Sequence, residues 1–174
     1  MEEGNSEKLI RALLRANDLS ALELIWNDLA SDLLGYLVVL HGSRHEAEDT
    51  LQEVFVTIAT KRAHVASARN LKAYLFRLAR NAAFNRIKKE GRQREKLHHA
   101  ADWLEQEAPS SDGVDRSRLL AGALAHLPEK QRTVVVLKFF MEKTLGEIGD
   151  ILHISMNTAA SRLDLPPLTG QVKV

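Results

Sequence analysis

Residues 144–163, TLGEIGDILHISMNTAASRL, carry the pattern from which the fold can be read. Leu145, Ile148, Ile151 and Leu152 recur at helical spacing and mark one inward face over residues 145–152. His153, Ile154 and Ser155 interrupt that pattern, and a second short helix is expected over residues 157–165. Two short helices separated by three or four residues have the geometry of a helix-turn-helix. Asn157, Thr158, Ser161 and Arg162 then form a small polar outer face able to enter a major groove. Hydroxyls reach phosphates there, and an amide can pair bidentately with adenine. The same pattern also fits a plain helical hairpin with solvated Ser and Asn.

Outward from this stretch nearly everything reads as helix. Apolar residues recur at spacings of three and four, and strict alternation is rare. Ser6 is a candidate cap for a helix bearing Leu9, Ile10, Leu13 and Leu14, and Asp18 for one bearing Leu22, Ile25, Trp26 and Leu29. That second pattern stops near His41-Gly42, and Ser43 opens a third helix over residues 44–61. A loop is expected at residues 64–70, followed by a long helix from Leu71 into Lys88-Lys89. Residues 90–114 are polar and hold the breaker cluster Pro109-Ser110-Ser111-Asp112-Gly113, which reads as a linker with one helical turn near Leu97. Helical patterns at 116–125 and 129–141 precede the opening stretch, and Pro166-Pro167 ends it. The expected fold is all-α: a helical domain over residues 1–89, a linker over 90–114, and a helix-turn-helix domain over 115–174.

Composition narrows the function. The chain has 174 residues, 45% of them hydrophobic, enough for one ordinary core or two small ones. It has no cysteine, which excludes disulfide scaffolds, thiolate metal sites and cysteine nucleophiles and suits a reducing cytoplasm. The first six residues are acidic and polar, unlike a secretory signal, and no apolar run approaches the roughly 20 residues of a membrane span. His45-Glu46 begins like a zinc-protease helix, but Asp49 stands where the second His is needed. The adjacent His98 and His99 read as a surface pair. With no phosphate loop and no nucleophile elbow, neither an enzyme, a metal site nor a cofactor is expected.

The net charge of +1 hides two opposed segments. Between residues 77 and 96 lie Arg77, Arg80, Arg86, Lys88, Lys89, Arg92, Arg94 and Lys96 against Glu90 and Glu95, a net of +6. Asn81 and Asn85 share one face of this helix, and Tyr74, Phe76 and Phe84 are interleaved. Cations that track phosphates beside amides and aromatics suit single-stranded or melted nucleic acid. The spacing of Phe76 and Phe84 makes these two core residues. Glu46, Glu48, Asp49 and Glu53 instead give −4 over residues 46–60, with Leu51, Val54, Phe55 and Ile58 inward. Acids near a helix start also favour its dipole. Asp49, Gln52 and Glu53 lie deeper in the helix, and an acidic patch there points to a protein partner with a basic surface.

In this order the parts resemble the extracytoplasmic-function sigma factors, the small two-domain branch of the sigma-70 family. The matching stretches are residues 47–55 (AEDTLQEVF), 71–85 (LKAYLFRLARNAAFN), and 127–132 (LPEKQR) running on to Ser161-Arg162-Leu163. The resemblance implies a subunit that binds core RNA polymerase, directs it to promoter DNA and helps open the start region. Asp49, Gln52 and Glu53 would dock on a coiled coil of the largest catalytic subunit. Arg80, Asn81 and Asn85 would read the minus-ten element, with Arg77 and Lys88 on phosphates, and the loop at 64–70 would capture an extruded base. Asn157, Thr158, Ser161 and Arg162 would read the minus-thirty-five element. An anti-sigma factor is an expected partner. Membrane insertion is not expected.

The chain departs from that family after Leu163. Asp164-Leu165-Pro166-Pro167 replaces the usual basic helix, and Ala160 stands where Lys is common, so a weaker phosphate grip is expected. Two alternatives stay open: a stand-alone helix-turn-helix regulator, and a sigma-like protein that has lost promoter reading.

Overall fold

The computed structural model describes the backbone of residues 3–98, 119–120 and 122–163, and side chains within 6–92, 119–120 and 122–163. All regular structure among the described residues is helical. The order is α1 (Glu3–Arg15), α2 (Ser20–His41), α3 (Arg44–Thr60), the short α4 (Arg62–Ala66) and the long α5 (Leu71–His98). After helical residues 119–120 and 122–125 come α6 (Glu129–Val135), continued by one π turn (Val136–Phe140), then α7 (Leu145–Leu152) and α8 (Met156–Leu163).

Helix ends follow local chemistry. Gly42 adopts φ 70° and donates its N–H to the Val38 carbonyl at 2.8 Å, which stops α2 where an L side chain would be strained. Ser43 then caps α3 by accepting from Glu46 N–H at 3.4 Å. Asn70 caps α5 through Oδ1, which accepts from Ala73 N–H at 2.9 Å. Thr144 and Glu147 form a reciprocal capping box at α7, with Glu147 N–H on Thr144 Oγ1 and Thr144 N–H on Glu147 Oε2.

Four expectations shift. Ser6 is not a cap: α1 begins before it, and its hydroxyl donates to Asp28 at 2.8 Å. Asp18 does accept from Ser20 N–H at 2.9 Å, but Leu19 stands between it and the helix. The loop at 64–70 begins as the last turn of α4. The helix expected to end near Lys89 continues to His98, because residues 90–98 lack Pro and keep good helix formers despite Gly91. The expected linker otherwise lies outside the described residues, as do the chain end after Leu163 and His99.

The core of the first domain is Ile25, Leu33, Tyr36 and Leu37 of α2, Leu51, Val54 and Ile58 of α3, and Leu75, Phe76, Ala79 and Ala83 of α5. Phe76 and Phe84 are buried, as their spacing implied. Leu9 and Trp26 are not core: each is about half exposed, and Trp26 meets Phe55 edge to face at 5.0 Å. Val134, Val136, Leu137, Ile148, Ile151 and Ala159 make the core of the second domain.

The helix-turn-helix is closed by its backbone. His153 takes φ 54°, and Ile154 N–H donates to the Gly149 carbonyl at 3.0 Å. A Cβ at residue 149 would lie 2.7 Å from the Ile154 carbonyl oxygen. Alanine gains about 1 kcal/mol of helix propensity over glycine, while such a backbone clash costs about 1–3 kcal/mol. Gly149→Ala is therefore expected to lower stability on denaturant titration; a raised midpoint would mean that the turn yields.

Candidate nucleic-acid interface

Helix α5 places the basic segment between two neighbours. Its buried edge meets α2 and α3, and a second edge meets the C-terminal domain. The promoter-type residues divide between that second edge and the open surface.

Arg80 faces the C-terminal domain. Its Nη2 lies 2.7 Å from Glu129 Oε1, and its Nε donates to the buried Thr133 hydroxyl at 3.3 Å. Lys88 Nζ lies 3.2 Å from Glu129 Oε2, so both carboxylate oxygens of Glu129 are occupied by α5 cations. Arg77 meets His153 of the helix-turn-helix, and its guanidinium lies 5.3 Å from the Tyr74 ring centroid. Arg132 of α6 and Arg80 each approach the Phe84 ring, at 5.7 and 5.3 Å. Asn70 Nδ2 donates to Asp150 at 3.4 Å.

Asn81 and Asn85 are exposed on the adjoining face, where they line an open groove of about 530 Å³ with Glu53, Thr57, Arg86 and Lys89. The structure thus brings Asn81 and Asn85 together and ties them to Arg80, whose Nη1 donates to Asn81 Oδ1 at 3.1 Å, while Arg77 and Lys88 lie on the edge that meets the C-terminal domain.

The acidic helix α3 lies across that groove. Gln52 and Glu53 are exposed and Asp49 is half-buried, all beside Arg86. Arg86, counted in the sequence among cations for a polyanion, points the other way. Its Nε lies 2.6 Å from Glu46, its Nη2 2.9 Å from Asp49 and its Nη1 2.9 Å from Glu53. Glu90 is a fourth carboxylate, 3.3 Å from Nε. Burial pushes Glu90 up, and the neighbouring Glu46 adds to that rise beyond what Arg86 offsets. Burial also works against ionised Glu46, but the Arg86 hydrogen bond and charge outweigh it and hold that carboxyl below its ordinary value.

Glu7 and Arg11 of α1 form an ion pair that sequence reasoning overlooked. Arg11 donates to the carbonyls of Ala66 at 2.9 Å and Arg69 at 3.2 Å, and Glu7 accepts from Leu71 N–H at 3.4 Å. They pin the loop before α5. Beside that loop, His64 meets the Tyr74 ring at 5.8 Å. The i, i+4 spacing of Glu7 and Arg11 was a visible signal, but a long-range contact with residues 66–71 was not.

On α8, Asn157, Thr158 and Ser161 are exposed and Arg162 is half-buried. Ser155 caps this helix, its Oγ accepting from Thr158 N–H at 3.1 Å. Ser161 Oγ donates to the Asn157 carbonyl at 2.7 Å, so its proton is used within the helix and its free lone pairs face outward. Among the described residues no group of three His, Cys, Asp or Glu is arranged to hold a metal ion, and no helix is long and apolar enough to cross a membrane.

Residues 25–93 match the family model for Sigma-70 region 2, and residues 117–164 the model for Sigma-70, region 4. Paired on one helical chain, these regions define a sigma-70-type initiation factor. Over 136 residues the chain is 32% identical to the ECF RNA polymerase sigma factor SigW of Bacillus subtilis, covering 70% of this chain and 72% of that protein. It is 26% identical over 160 residues to the ECF RNA polymerase sigma factor RpoE of Cereibacter sphaeroides, covering 90% and 88%. The fold is shared with the structure of CnrH in complex with the cytosolic domain of CnrY, at TM-score 0.64 and 17% identity over 91% of this chain and 90% of that one. It is shared also with the sigma factor RpoE in complex with the anti-sigma factor NepR from Bartonella quintana, at TM-score 0.55 and 24% identity over 75% and 82%. The chain belongs to the ECF RNA polymerase sigma factors: it binds core RNA polymerase and directs promoter recognition and transcription initiation.

Glu129 occupies Arg80 and Lys88, two of the cations expected from the sequence to meet DNA. A part-exposed pair of this kind contributes about 1 kcal/mol, equivalent to roughly fivefold in affinity. Glu129→Gln in the free chain is accordingly expected to tighten binding of a single-stranded minus-ten oligonucleotide by about that factor, read by fluorescence anisotropy. Equal affinity would count against a competing role for this carboxylate.

Proposed function

We propose that the two faces described above divide the work of initiation. Asp49, Gln52 and Glu53 on α3 dock on a basic coiled coil of the largest polymerase subunit. Arg80, Asn81 and Asn85 on α5 read and open the minus-ten element, with Arg77 and Lys88 on phosphates. Asn157, Thr158, Ser161 and Arg162 on α8 meet the minus-thirty-five element in the major groove. The observation that carries this reading is the juxtaposition of the exposed Glu53 on α3 with the exposed amides of Asn81 and Asn85 on α5 across one groove.

On this reading promoter engagement requires Arg77 and Lys88 to exchange His153 and Glu129 for phosphate, and Arg80 to leave Glu129 for the minus-ten strand, so the two domains part on DNA. The domain limits at 1–89 and 115–174 fit this division, with α5 extending past the first. The chain supplies no catalytic chemistry of its own; polymerisation belongs to the core enzyme. It acts where polymerase does, in the cytoplasm. An anti-sigma factor that clamps both domains is the proposed regulator, supported by the two solved relatives, one bound to the anti-sigma factor NepR and one to the cytosolic domain of CnrY.

Two variants test the division. Asp49→Arg is expected to abolish co-elution with bacterial core polymerase while leaving helical content intact; unchanged co-elution removes the docking assignment. Asn81→Ala combined with Asn85→Ala is expected to preserve closed-complex formation and to reduce strand opening. Permanganate reactivity equal to that of the unmodified protein would remove the minus-ten assignment.

A further inference from the structure

The acids proposed to dock on polymerase are not free-standing. Helix α3 alone would present Glu46, Asp49 and Glu53 as like charges on successive turns, which repel one another. Arg86 of α5 binds all three, with a different guanidinium nitrogen nearest each: Nε for Glu46, Nη2 for Asp49 and Nη1 for Glu53. A planar guanidinium suits this task, because its N–H groups lie in fixed directions. Arg86 also sits lower than the acids it holds. Its side chain is 24% exposed, against 37% for Asp49 and 57% for Glu53. Each carboxylate reaches Arg86 through one named oxygen, Oδ2 of Asp49 and Oε1 of Glu53. The second oxygen of each remains for a partner.

We propose that Arg86 is a positioning residue for polymerase docking, holding Asp49 and Glu53 in the conformation that the polymerase receives. The inference rests on the docking role of these acids. Two effects oppose each other at this site. Arg86 reduces the negative field that attracts a basic partner, which weakens long-range steering. It also orders two flexible carboxylates before binding, which removes an entropic cost at contact. The depth of Arg86 decides between them: a cation beneath the acids leaves their outer oxygens open and organises them without occupying the contact surface. Because Arg86 directly follows Asn85, the same contact ties the docking acids to the helix proposed to open the promoter.

The test is a double-mutant cycle on binding to bacterial core RNA polymerase, using the full chain. The variants are Arg86→Met, Asp49→Asn and their combination, with Arg86→Lys beside them. Arg86→Met is expected to weaken binding about tenfold, although it makes the site more negative. In the Asp49→Asn background it is expected to weaken binding much less, since part of what it positions is gone. A purely structural role would give losses that add. Arg86→Lys keeps the charge but not the fork, and is expected to recover only a small part of the affinity. It carries the test alone should Arg86→Met fail to fold.

Tighter or unchanged binding by Arg86→Met, additive losses, or full affinity in Arg86→Lys would each overturn the inference while leaving the docking role standing. Unchanged binding by Asp49→Asn and by Asp49→Arg would instead overturn the docking role, and the positioning role with it.

Discussion

One face of α5 has to serve two partners, and the architecture turns on that constraint. Phe76 is packed against Tyr36 of α2, with ring centroids 5.6 Å apart, and is approached on another side by Lys143 of the C-terminal domain at 5.3 Å. Phe84 is buried where Arg132 of that domain approaches it. Burying an aromatic or aliphatic side chain is worth about 1.5–3 kcal/mol. The cations flanking these rings contribute less, about 0–1 kcal/mol for a pair near the surface. The buried residues of the two domains form one continuous core, so apolar burial holds the domains together in this arrangement, and the ion pairs at its rim are the parts most readily exchanged. Arg80 and Lys88 belong to that rim. Their partner Glu129 offers the same chemistry as a phosphate, an anionic oxygen pair at hydrogen-bond distance.

The local devices were legible because each depends on few residues. Ser43 before α3, the Gly42 stop and the break at His153 each act within one helical turn, so spacing and residue type suffice. The helix-turn-helix is more sharply defined than its pattern alone required, since the Thr144–Glu147 capping box and the His153 turn fix the two ends of its first helix. Its polar outer face also emerged where the sequence put it, on exposed Asn157, Thr158 and Ser161.

What the sequence concealed was the destination of long side chains. Arg77, Arg80, Arg86 and Lys88 form one run of positive charge in the primary structure, and a helix sends them to different places. Arg77, Arg80 and Lys88 meet the C-terminal domain, while Arg86 turns to α3. Helical phase predicts that divergence, but not which neighbours occupy each side. Phe55 and Trp26 illustrate the same gap. Both sit at apolar helical spacing, yet they meet at the rim of the α2–α3 contact and Trp26 remains half exposed. An amphipathic pattern gives a direction for the core and says little about its edge.

The acidic patch shows why charge counts along a sequence mislead in a second way. Four acids over residues 46–60 suggest a surface that would repel nucleic acid beside the basic helix. In three dimensions that helix supplies the counter-ion, and Arg86 reduces the field between the two segments at their closest approach. The raised Glu90 marks the limit of this compensation: one guanidinium does not neutralise four carboxylates, and the surplus appears on a carboxyl pushed up by burial and by Glu46. Negative charge is thus retained where Glu53, the most exposed of these acids, lines the groove with Asn81 and Asn85, and is diminished deeper in, where Arg86 binds Glu46 and Asp49. A single buried-side arginine lets an anion-seeking face and a cation-seeking face share one groove.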